Sequence, residues 1–174
     1  QKHATFKALY HAVKNIKGRK KYILQQGILM TTYRNRPFDI RIMVQRSPSN
    51  EWITTGMLAR VAAPGKIVTN YHAGGKARPL SPLLSGYISK RSRKKKIRYL
   101  GSFGCKVARH YHRHIRGLQE IGVDVALDEQ LKPWILEVNT RPDAYVFREL
   151  QNKSTFRKII RYARRYGKYR RSRS

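Results

Sequence analysis

The alternation of apolar and polar positions divides the chain into a few helices and a run of strands. Residues 4–17, ATFKALYHAVKNIK, set Phe6, Leu9, Tyr10, Val13 and Ile16 at helical spacing, which predicts an amphipathic helix ended by Gly18 and the basic GRKK segment. The segments YILQQGI (22–28), FDIRIMVQR (38–46), EWITTGMLARVAA (51–63) and KIVTNY (66–71) are rich in β-branched and aromatic residues and predict strands. Ser47-Pro48-Ser49-Asn50 and Pro64-Gly65 supply turns, so the middle of the chain reads as an antiparallel meander. A loop with Gly74-Gly75 follows from His72 to Pro82, then a helical stretch over about Leu83–Lys90 and the basic run SKRSRKKKIR (89–98). A second helix is expected over 104–119, where Cys105, Ala108, Tyr111, Ile115 and Leu118 share a face. IGVDVAL (121–127) and PWILEVN (133–139) form a hairpin that turns over Asp128–Lys132, and beyond Thr140-Arg141-Pro142-Asp143 the chain becomes helical again. The class is α+β, with hairpin strands and helices packed on them.

Composition narrows the possibilities. A chain of 174 residues suits one domain with an appendage, and 11 Tyr, 5 Phe and 2 Trp are too many large apolar groups for a disordered basic tail. No apolar run is long enough to span a membrane, and the single Cys105 forms no internal disulfide, which fits a reducing, cytoplasmic setting. Lys and Arg number 39 against 9 Asp and Glu, a formal charge of +30 that points to polyanionic partners. Nine of those cations lie between 157 and 173 with Tyr162, Tyr166 and Tyr169 among them, a pattern that suits a nucleic acid backbone with stacked bases.

The acidic residues are distributed less evenly, for seven of the nine fall between 120 and 149. If the 121–139 hairpin turns about its midpoint, Asp124 stands opposite Glu137. Strand alternation then gives Glu137 and Asn139 one face and Trp134, Leu136 and Val138 the other. Two opposed carboxylates repel unless a cation lies between them. With the amide oxygen of Asn139 they form a hard-oxygen set suited to Mg²⁺ or Mn²⁺. An exposed hairpin with ordinary polar residues reads the same on spacing alone. His110, His112 and His114 alternate, but a helix puts only His110 and His114 on one face, so a solvated helix face is the default for them.

Asp124 followed by Leu136-Glu137-Val138-Asn139-Thr140-Arg141-Pro142 resembles the metal-binding end of the ATP-grasp superfamily of carboxylate–amine ligases. The resemblance implies that Asp124, Glu137 and Asn139 hold Mg²⁺ (or Mn²⁺) bridging ATP phosphates. Tyr22–Ile28 resembles the hinge strand, which implies adenine binding at Gln26, Gly27 and Ile28. Phe38-Asp39-Ile40-Arg41 resembles the D-I-R segment, which implies Asp39 near the nucleotide and Arg41, with Asn139, in the catalytic set. Thr69–Gly75 resembles the phosphate loop of ribosomal-protein-modifying glutamate ligases and implies nucleotide contacts from Asn70, Gly74 and Gly75, although Val68 stands where that loop carries Arg. Taken together, the QQGI, FDIR, GG and LEVN segments resemble the YheC/YheD-type group associated with endospore coats. The implied fold is the C-terminal lobe of an ATP-grasp domain over 1–150, an antiparallel sheet flanked by helices, followed by a basic helix or tail over 151–174. The preceding domain and the lysine-bearing lobe are expected to lie upstream in a longer enzyme. The implied activity joins an unidentified carboxylate to an amine through an acylphosphate. The competing reading is a non-catalytic basic module for nucleic acid or for anionic spore coat proteins.

Overall fold

Alternation along FDIRIMVQR has a direct structural outcome. The computed structural model describes residues 2–19, 25–69 and 74–169. In it, strand β2 (Arg36–Arg46) lies at the centre of an antiparallel sheet with β3 (Trp52–Val61), β5 (Glu120–Leu127), β4 (Lys76–Arg78) and β6 (Pro133–Asn139), in the order β4-β3-β2-β5-β6. A short β1 (Thr32–Tyr33) also pairs with β2. Phe38, Ile40, Ile42 and Val44 enter one core with Ile121, Val123, Val125 and Leu127 from β5. That face is covered by α2 (Leu80–Leu83) and the long α3 (Lys90–His114), through Leu80, Leu83, Leu100, Val107 and Ala108. The opposite face has a smaller core of Met43, Leu58, Phe147, Leu150 and Ile159 under a 3₁₀ turn (Tyr145–Glu149) and α4 (Ser154–Arg165). The second face is therefore charged at the Asp39–Arg41 end of β2, apolar around Met43 and polar again at Gln45, which pairs with Glu120. These layers bear out the α+β class and the helix-flanked antiparallel sheet.

Several elements depart from the sequence-based expectation. The helix expected to begin at 104 begins at Lys90, capped by Ser89, whose Oγ accepts from the Ser92 N–H at 3.4 Å. The basic run 89–98 forms its first turns; most of its cations project to solvent, while Arg93 donates to the Ser81 carbonyl and Lys96 to the Leu131 carbonyl, and the buried stripe needs only Leu100, Gly104, Val107 and Ala108. The helical stretch placed at 83–90 lies earlier, as α2 and a 3₁₀ turn over Leu84–Gly86. Of the strand expected at 66–71, residues 66–69 form none, and 70–71 lie outside the described residues. Likewise Gln25–Ile28 are not in a strand, and 22–24 lie outside the described residues. Helix α1 (Phe6–Lys17) forms as expected under a Thr5 cap, yet Phe6, Tyr10 and Ile16 on its apolar stripe remain exposed. Among the described residues, no helix is long and apolar enough to cross a membrane.

Gly56 is where β3 meets the second core. A Cβ there would lie 2.7 Å from Ile159 Cδ1 and 2.9 Å from both Phe147 Cε1 and Thr155 Cγ2. Gly56→Ala is therefore expected to lower unfolding free energy by about 1–3 kcal/mol, from overpacking. A urea midpoint unchanged from the parent protein would contradict this close approach.

Candidate functional site

The β2–β3 register sets Asp39 across from Arg60, and the β2–β5 register sets Arg41 across from Asp124. All four side chains lie on the charged end of the second face, and all are buried, at 2% (Asp39), 8% (Arg41), 7% (Arg60) and 4% (Asp124) exposed. Arg41 grips Asp124 with two bonds, Nε–H to Oδ1 and Nη2–H to Oδ2, the second at 3.0 Å. Arg60 does the same to Asp39, with Nε–H to Oδ1 at 2.9 Å, and its Nη2 also reaches Asp124 Oδ2 at 2.8 Å. The result is a chain of alternating charge, Asp39–Arg60–Asp124–Arg41, whose formal charges cancel. Burial opposes the charge on Arg60, but the hydrogen bonds and charges of Asp39 and Asp124 outweigh it and hold its pKa above the ordinary arginine value.

Glu137 pairs directly with Asp124, and Asn139 with Gly122, as the hairpin midpoint predicts. The Glu137 side chain is exposed and forms no hydrogen bond or ion pair among the described residues. Asn139 Oδ1 accepts from the Arg141 N–H at 2.8 Å, which fixes the turn that leaves β6. Gly122 makes the arrangement possible. A Cβ there would lie 2.9 Å from Pro142 Cβ and 3.3 Å from Arg41 Cδ. The sequence reading did not single out Gly122, although a glycine inside IGVDVAL is the usual signal of such a close approach.

The alternation expected for β6 fails at one point. The β5–β6 register shifts between Asp124 and Val125, so that Leu136 is an extra residue and Trp134 pairs with Ala126. Trp134 therefore shares the face of Asp124 and Glu137, rather than the opposite face with Val138. Its ring is held in place, since its Nε1–H donates to Asp128 Oδ2 at 2.8 Å and the Lys132 amine sits 4.6 Å from its centroid. Gln26, Gly27 and Ile28 line a cavity of about 280 Å³ together with Leu29 and Trp134. Gln26–Ile28 thus meet the same hairpin as the carboxylates. The Trp134 bond is the main influence that keeps the Asp128 carboxyl below its ordinary value of 3.8, with the backbone N–H groups of Lys132 and Gln130 acting in the same direction and burial against them. A depressed carboxylate adds stability that is present above the ordinary pKa and lost as pH falls through the lowered one. The Trp134 indole N–H resonance is thus expected to hold its position down to about pH 4 and shift only below that. A midpoint above 3.8 would contradict the bond.

The remaining candidates are dispersed. Gly74, at φ +85°, and Gly75 lead into β4, whose Lys76 pairs with Val61, so both lie at the Asp39–Arg60 end of the sheet. Asn70 lies outside the described residues. His112 bonds with Arg46 Nη1 at 3.0 Å rather than joining His110 and His114. Among the described residues, no three His, Cys, Asp or Glu side chains cluster closely enough to hold a metal by themselves.

Comparison with known proteins bears on the family and the fold. A family described as YheC/D-like ATP-grasp matches residues 1–169. The chain is 26% identical over 127 residues to the endospore coat-associated protein YheD of Bacillus subtilis (strain 168), covering 72% of this chain and 27% of that protein. It is 24% identical over 121 residues to the endospore coat-associated protein YheC of the same organism, covering 70% of this chain and 33% of that one. The chain thus spans at most about a third of the length of these relatives. Its fold is similar to a crystal structure of the C-terminal domain of K. lactis Pby1, described as an ATP-grasp enzyme interacting with the mRNA decapping enzyme Dcp2. That match has a TM-score of 0.56 at 16% identity and covers 99% of this chain and 56% of the other.

Proposed function

Because the chain belongs to the YheC/D-like ATP-grasp family, we propose that the charged end of its second sheet face holds Mg²⁺-ATP and serves a carboxylate–amine ligase. Membership supports an ATP-dependent, ligase-type function in general terms. The single observation that carries the finer reading is the pairing of buried Asp124 with exposed Glu137 beside two buried arginines.

The donor chemistry fits a hard divalent cation. Asp124, Glu137 and Asn139 offer only oxygen, and a carboxylate oxygen that accepts one arginine N–H keeps a further lone pair. Mg²⁺ takes one or two protein carboxylates and completes its shell with water and phosphate, so a site without a closed protein cage is the arrangement it uses. Bound there, the ion supplies charge neutralisation to the phosphates. Arg41 and Arg60 add two fixed positive charges in a poorly solvated setting, where they act more strongly on polyphosphate than they do in water. Asp39, engaged by Arg60, serves as the group that aims Arg60, and the Gln26–Ile28 backbone with Trp134 receives the base. In the reaction, an oxygen of the substrate carboxylate attacks the γ-phosphorus, ADP leaves, and the amine then displaces phosphate from the acylphosphate and loses a proton. The family relatives are named for the endospore coat, and we extend that setting to this chain, together with coat proteins as the carriers of substrate groups. A second reading, polyanion binding through the exposed basic residues of α3 and α4, is favoured by the net charge of +30 and would show a steep fall in affinity with salt.

Calorimetric titration of the protein with ATP tests the first reading. Saturable binding in MgCl₂ that disappears in EDTA is expected. ATP binding that is indifferent to the metal and falls only with ionic strength would favour the second.

A further inference from the structure

Strand β3 has a neighbour on its outer side only at its C-terminal end, where Ala59, Arg60 and Val61 pair with β4. Pro79, which has no N–H to continue a ladder, then turns the chain off into α2. Residues 52–58 are left as an open edge, with no strand beyond them among the described residues. A cavity of about 630 Å³ runs along this edge, floored by β3 and walled by Ile97, Arg98, Gly101, Cys105 and Arg109 of α3. A second, of about 340 Å³, shares Met57 and Ile97 and continues the groove towards Leu80 and Leu150. Glycine at 101 keeps the helix close to the strand, and Thr54 Oγ1 donates to the Gly101 carbonyl at 2.9 Å, which fixes the width of the groove.

We infer that this groove binds an extended acidic peptide segment of a partner protein by strand addition to β3. A sheet edge presents both N–H donors and C=O acceptors in alternation, which a peptide backbone matches group for group and the acceptor-only phosphates of a nucleic acid do not. The wall selects acidic sequences. Arg98 and Arg109 are exposed and form no ion pair among the described residues. They lie eleven positions apart, about 16 Å along the helix, close to the span of roughly five extended residues. Small and apolar side chains between them accept the alternate residues of such a strand. A second copy of the chain is disfavoured as the occupant, since it brings its own +30 charge to two unpaired arginines. The bulge at Thr55, where Gly56 pairs with Met43 and Thr54 with Val44, further spoils the flat register that self-pairing needs.

The test uses the full chain and an acetylated, amidated peptide alternating Glu and Val. Amide hydrogen exchange is expected to show protection confined to residues 52–58 on saturation. The double variant Arg98→Glu/Arg109→Glu, unchanged in circular dichroism, is expected to bind at least about tenfold more weakly. A peptide with Pro in place of Val keeps the charge but loses every second N–H and cannot lie flat as a strand, and is expected not to protect the edge. Equal binding of the Pro peptide, protection elsewhere, protection of 52–58 by single-stranded RNA in place of the peptide, or self-association that protects the edge without peptide would each overturn the proposal.

Discussion

Asp124→Asn is expected to cost about 3–5 kcal/mol of stability, the range seen when one partner of a buried ion pair is removed. The magnitude follows from the accounting of charge on the sheet face. Asp39, Arg60, Asp124 and Arg41 sum to zero, and both arginines reach Asp124. An asparagine at 124 leaves two buried guanidinium groups with one remaining carboxylate, a net positive charge with little water to screen it. The urea midpoint of the variant should fall with the denaturant dependence unchanged. A loss below about 1 kcal/mol, the range of solvent-exposed pairs, would contradict the buried network.

Part of this network is legible in the sequence. FDIRIMVQR alternates plainly enough to send Phe38, Ile40 and Ile42 to one core and Asp39 and Arg41 to the other face, and Ser47–Asn50 sets the return of β3. Twofold alternation also puts Asp124 opposite Glu137, and the register holds from there to Asn139. It fails at the residue before Glu137, Leu136, because a bulge adds a residue without any change in residue type, and Trp134 consequently changes face. The start of α3 is concealed for another reason. Gly101 and Gly104 are what let the helix approach Thr54 and Ile42, yet glycine does not register in an apolar pattern. The adjacency of β2 and β5 was beyond a local reading, since Arg41 and Asp124 are 83 positions apart and only the assembled sheet joins them.

A second large effect is expected at Glu120, at the far end of β5. Its carboxylate, 5% exposed, accepts from Gln45 Nε2 at 3.0 Å, from the Tyr166 hydroxyl and from the Lys168 amine. Lys168 also donates to the Pro142 carbonyl at 2.8 Å, so the segment after α4 is tied both to the sheet and to the turn that follows Asn139. Burial first, and then the bond and charge of Glu120, push the Tyr166 hydroxyl above its ordinary pKa. Burial works against the Lys168 charge, but Glu120 outweighs it and raises that pKa as well. A raised amine contributes stability that is complete below its unfolded value and lost as pH rises through the folded one, so this latch holds throughout the neutral range. Glu120→Ala is expected to cost roughly 3 kcal/mol, because buried donors lose their acceptor, and to speed amide exchange in α4 well before the sheet. Unchanged exchange in α4 would show that Ile159 and Ala163 alone hold the helix.

Asp124 is a poor residue for testing the proposed function, since its loss damages the fold and the site together. Glu137 separates the two, being exposed and without a bond among the described residues. The decisive measurement is therefore calorimetric ATP binding in MgCl₂ by the parent protein and by Glu137→Gln. Unchanged stability with Mg²⁺-dependent ATP affinity reduced at least about tenfold, the scale of losing one charged ligand, is the expected result. Equal affinity in the two proteins would contradict the reading of this sheet face as a Mg²⁺-ATP site.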